Sequence, residues 1–80
     1  MTKAAKIIER MKNNPKGDWV ISDLEKVAEQ FGIGHHRPTG SHTTFELPGH
    51  PEIVTVPAHR PIKPVYIRQF VALVETARGE

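Results

Sequence analysis

Gly40-Ser41-His42 places an imidazole beside a small hydroxyl residue and a flexible glycine, directly before a run that alternates as a β-strand. Imidazole exchanges protons near neutral pH, so a His on an exposed strand face can take a proton from a substrate or return one. Val54-Thr55-Val56-Pro57-Ala58-His59 follows, and then Lys63 and Arg68 stand at the mouth of an apolar helix. There the unpaired N–H groups of a first helical turn and the helix dipole favour an anion. Proton transfer beside a bound anion is the chemistry of a phosphodiester. His42 is the candidate for the proton-transfer step. Lys63 and Arg68, extended by Arg37 and Arg60, are the candidates for holding phosphate, and His59 is a candidate for either task. His35, His36 and His50 read as loop histidines without a role.

The charge distribution points to the same stretch. Net charge is only +2, which says little alone. Residues 1–33 balance their charges closely, whereas residues 34–68 hold Arg37, Arg60, Lys63 and Arg68 against only Glu46 and Glu52, and carry every histidine. At 80 residues and 38% hydrophobic, the chain predicts a single domain over 1–80 with one small core. It has no cysteine, so neither a disulfide nor a thiolate metal site reinforces that core. Nowhere do apolar residues run long enough to span a bilayer, and no long apolar stretch follows the charged N-terminus. The expectation is a cytoplasmic protein with no membrane partner.

The elements that must position these residues follow from periodicity. Ala4, Ile7, Ile8 and Met11 fall on one face of a helix that stops at Asn13-Asn14-Pro15. Ser22-Asp23-Leu24-Glu25 reads as a capping box opening a second helix with inner residues Leu24, Val27, Ala28 and Phe31. Gly32 fits its left-handed C′ position, with Ile33 folding back over Ala28. The pattern then changes to period two. Residues 35–39 form a weak edge strand that Pro38 interrupts. Residues 41–47 alternate, with Thr43, Phe45 and Leu47 inward and His42, Thr44 and Glu46 outward. By the same alternation Ser41 points away from His42. After a turn at 48–52, residues 53–57 return as the partner strand, and Pro64 opens a closing helix with Ile67, Phe70, Val71 and Val74 inward. The predicted order is ααβββα, an α+β fold with a three-stranded antiparallel sheet covered by helices on one face.

Taken in order, the Gly-Ser-His strand, the Val-Thr-Val-Pro-Ala-His strand, Lys63 and a closing helix with early Arg68 resemble the HicA toxins, mRNA interferases of bacterial toxin-antitoxin pairs. Residues 19–74 match that pattern, and the first helix lengthens it. The family's commoner helix opening, with a Thr between Lys and Arg, is here Lys63-Pro64-Val65-Tyr66-Ile67-Arg68. The resemblance implies a fold like the double-stranded-RNA-binding domain and an endoribonuclease active without metal or other cofactor. It implies His42 as the catalytic residue, RNA as substrate, and a HicB-type antitoxin that covers the His42 face. RNA contact is expected from Gly40, Ser41, Arg37, His59, Arg60, Lys63 and Arg68. Metal-free RNA cleavage uses the ribose 2′-OH as internal nucleophile, which suits one histidine and a set of cations.

Other classes compete for the same residues. A non-catalytic RNA-binding module would use the same basic face without depending on His42. A metal site is disfavoured because adjacent His35 and His36 point to opposite faces of a strand and no helical ligand spacing is present. A Ser-His-acid hydrolase is disfavoured because no nucleophile elbow surrounds Ser41.

Overall fold

The computed structural model describes residues 3–38 and 40–79. Helix α1 spans Lys3–Asn13 and buries Ala4, Ile8 and Met11. Its last turn is closed by the Asn14 N–H donating to the Arg10 carbonyl at 2.8 Å, just before Pro15 ends the helix. Helix α2 spans Ile21–Gln30 and helix α3 spans Pro64–Ala77, with Pro64 at the first turn as expected. Lys12 of α1 pairs with Glu75 of α3 at 2.8 Å. No helix among the described residues is long and apolar enough to cross a membrane.

Strands β1 (Gly34–His36), β2 (His42–Glu46) and β3 (Ile53–Pro57) form one antiparallel sheet in that spatial order. Thr43 pairs with Val56, and Phe45 with Val54 and His35. That row faces the helices. Phe45 meets Phe70 of α3 at 4.9 Å between ring centroids, and both are fully buried with Leu24, Val27, Ile67 and Val74. Complete burial of each such side chain contributes about 1.5–3 kcal/mol. The opposite row, His36-Thr44-Thr55 with His42-Pro57 and Glu46-Ile53 beside it, faces solvent. The α+β order ααβββα is the predicted one.

Three local expectations change. The second helix starts before the expected Ser22 cap. Its N-cap is Val20, and the Asp23 carboxylate accepts the Val20 N–H at 3.1 Å, so Asp23 rather than Glu25 satisfies the entering backbone. Half-buried Ile21 packs against the core as the first helical residue, which draws the start of the helix forward. The first strand occupies 34–36 instead of 35–39: Arg37 and Pro38 leave the ladder, and Thr39 lies outside the described residues. His35 and His36 are strand residues, as the expected edge strand has them, and not the loop histidines they also read as. The exit from α2 follows expectation. Gly32 has φ +71°, and the Ile33 N–H donates to the Ala28 carbonyl at 2.9 Å.

Candidate active site

Between β1 and β2 the chain reverses through a bend whose Gly40 has φ +79°, a left-handed conformation that a side chain disfavours. Ser41 follows, still outside the ladder. Its carbonyl accepts the Ala58 N–H at 2.8 Å, which pins the bend to the chain leaving β3. Because Ser41 precedes β2, strand alternation does not govern its side chain. The expectation that Ser41 points away from His42 fails for that reason: Ser41 Oγ lies 3.1 Å from His42 Nδ1. His42 itself opens β2 on the solvent face, exposed, opposite Pro57.

Pro57 is also one wall of a cleft of about 150 Å3 completed by His59, Pro61, Lys63 and Tyr66. The ladder thus sets His42 across from Pro57, the wall that the cleft shares with His59 and Lys63, while His42 itself does not line it. The loop that carries His59 is held from behind. Ile62 N–H donates to the Trp19 carbonyl at 2.9 Å, and Trp19 Nε1 donates to the Asn14 carbonyl at 2.9 Å. Lys63 is the N-cap residue of α3. Its carbonyl accepts the Tyr66 and Ile67 N–H groups, and Pro64 has no N–H to offer, so few backbone donors of this helix end remain for an anion. The ammonium of Lys63 is what an anion meets there.

The remaining candidates divide. Arg60 is exposed, but its guanidinium grips Asp18 by two nitrogens, with Nη2 donating to Oδ2 at 2.8 Å and Nε at 3.2 Å. The hydrogen bond from Arg60 holds the Asp18 carboxyl below its ordinary value, and Asp18 raises the Arg60 value in return. Arg37 Nη2 donates to Glu25 Oε2 at 2.9 Å, directed toward α2. Arg68 is on the outer face of α3 and does not line the cleft. Among the described residues neither Lys63 nor Arg68 has a side-chain hydrogen bond or ion pair.

Two features have no counterpart in the sequence reading. Trp19 and Asp18 anchor the 58–63 loop from a turn more than forty positions earlier, and neither belongs to a recognisable motif. Glu25, released from capping, accepts bonds from Arg37 and from the fully buried Thr43 hydroxyl, the latter at 3.2 Å. His36 joins His42 on the open face, on the far side of Thr44. His50 sits at the other end of the sheet, its Nδ1 accepting the Glu52 N–H at 3.3 Å. Chemically, the strand end offers an exposed imidazole with one nitrogen engaged by a hydroxyl, a second imidazole and an uncommitted ammonium.

A family model described as the HicA toxin of bacterial toxin-antitoxin matches residues 21–75. That span runs from the first residue of α2 into α3 and contains the whole sheet, the Gly40–His42 bend and the cleft, leaving α1 outside. No curated protein and no solved structure matches the chain.

Proposed function

The chain belongs to the HicA toxin family, and we propose that it is a metal-independent endoribonuclease in which His42 moves the proton and a HicB-type antitoxin holds the activity in check. The observation that carries this reading is His42 itself: exposed at the start of β2, with Nδ1 against Ser41 Oγ and Nε2 left for a substrate. When Nδ1–H donates to the hydroxyl, Nε2 has its lone pair free and accepts the proton of a ribose 2′-OH. The 2′-oxygen then attacks the adjacent phosphorus. The P–O5′ bond breaks, leaving a 2′,3′-cyclic phosphate on one fragment. The departing 5′-oxygen takes a proton from His59 or from water, giving a 5′-hydroxyl on the other.

Charge on the phosphate during attack is met by Lys63, with Arg68 further along the same helix. Arg60 and Arg37 already share their charge with a carboxylate, so a phosphate gains less from either than from Lys63. An antitoxin that covers the open face would shield His42, His36 and the exposed Thr55 together. RNA incubated with the purified protein should yield fragments with cyclic phosphate and 5′-hydroxyl ends, in the presence of excess EDTA as in its absence. Cleavage that stops with EDTA and returns with zinc would contradict the reading.

A further inference from the structure

We propose that Glu25 is a positioning residue for His42, clamping with one carboxylate oxygen both arms of the bend that carries Gly40, Ser41 and His42. The proposal rests on the reading of His42 as the proton-transfer group. Glu25 Oε2 accepts Arg37 Nη2 at 2.9 Å and Thr43 Oγ1 at 3.2 Å. Arg37 is the first residue beyond β1, and Thr43 directly follows His42. A single atom on α2 thereby ties the chain entering the bend to the chain leaving it.

The clamp stands on a rigid base. Leu24, Val27 and Ala28, the neighbours of Glu25 on α2, are all fully buried, and the Glu25 side chain is 19% exposed. Thr43 is fully buried as well, so its hydroxyl depends on this acceptor, because a buried donor without a partner costs much of its desolvation energy. His35 Nδ1 lies 4.0 Å from the same oxygen, and its Nε2 lies 3.8 Å from Glu29 Oε2. The His35 ring thus lies beside the carboxylate on the β1 side, beyond hydrogen-bond distance. Within the bend Gly40 has a left-handed φ of +79°, and the Ser41 carbonyl accepts the Ala58 N–H, so the clamp acts on a segment already tied to the chain leaving β3. Proton transfer depends on placement, and a small displacement of His42 lowers turnover without removing any group that binds RNA.

Full-length Glu25→Ala and Glu25→Gln test this with two separate readouts. Steady-state cleavage of one RNA should show kcat lowered roughly tenfold or more in Glu25→Ala, partly restored in Glu25→Gln, which keeps an acceptor, with KM little changed in both. Amide hydrogen exchange should quicken at Ala58 and His42 while α1 and α3 keep their protection. A folded Glu25→Ala with wild-type kcat and unchanged exchange at Ala58 and His42 would overturn the clamp. If the wild type itself does not cleave RNA, the reading of His42 falls, and the exchange measurement still decides whether Glu25 holds the bend. Should Glu25→Ala fail to fold, Arg37→Gln, at an exposed position, releases one arm alone and must speed exchange at Ala58 for the proposal to stand.

Discussion

Ser41 Oγ stands 3.1 Å from Nδ1 of His42, and that contact decides which imidazole nitrogen faces solvent. Without it Nδ1 loses its hydroxyl partner, and the ring loses a restraint that keeps Nε2 toward the substrate side. Ser41→Ala should therefore lower kcat by roughly two- to tenfold, the value of one hydrogen bond of about 0.5–1.5 kcal/mol. Melting should hardly change, because the side chain is exposed. Ser41→Thr keeps the hydroxyl and should retain most of the activity. Equal kcat for wild type and Ser41→Ala would remove the contact from the mechanism.

Arg60 reaches Asp18, and any phosphate must compete with that carboxylate. Asp18→Asn should accordingly strengthen RNA binding, by roughly two- to fivefold for an exposed pair. Lys63→Ala should weaken it and reduce the salt slope by about 0.7 for one lost contact to a single strand. Binding titrations at several salt concentrations check both. The same pair sets a pH dependence. Because Arg60 lowers the Asp18 value in the folded chain, the pair stabilises fully above the ordinary carboxylate range, and that contribution fades as pH falls through the lower folded value. Melting of wild type and Asp18→Asn should differ at neutral pH and converge in acid.

Gly40 has φ +79° with open space where a Cβ would project. Gly40→Ala therefore meets no clash but strains the backbone, by about 1–2 kcal/mol. The strain falls within two residues of His42, so thermal melting should drop modestly while kcat drops further than stability alone explains. Gly40→Asn, which tolerates the left-handed region, should lie between alanine and wild type.

How far these features were legible in the sequence depends on the range of the contact. Alternation within 42–46 placed His42 outward and Phe45 inward, because each neighbour in a strand faces the other way by geometry alone. Gly32, Ile33 and Pro64 were equally readable, since their roles depend on adjacent backbone. Ser41 escapes that pattern because it precedes the first strand residue, where alternation no longer governs the side chain. Ser22 and Glu25 matched a capping pattern that Asp23 fulfils instead, and nothing local distinguishes the two settings of the helix start. The partners of Arg37 and Arg60 lie 12 and 42 residues away, so no local pattern marks either arginine as engaged.

The central claim is that His42 moves a proton and does not serve chiefly to bind. Cleavage and affinity measured on the same RNA for wild type, His42→Ala and Lys63→Ala separate these roles. The account predicts that His42→Ala stays folded, binds RNA within about threefold of wild type and loses at least 100-fold in kcat, the scale of a missing general acid or base, whereas Lys63→Ala loses affinity first. A folded His42→Ala that cleaves at the wild-type rate would contradict the account. So would a wild type that cleaves nothing while His42→Ala loses as much affinity as Lys63→Ala, which is the behaviour of a passive RNA-binding module.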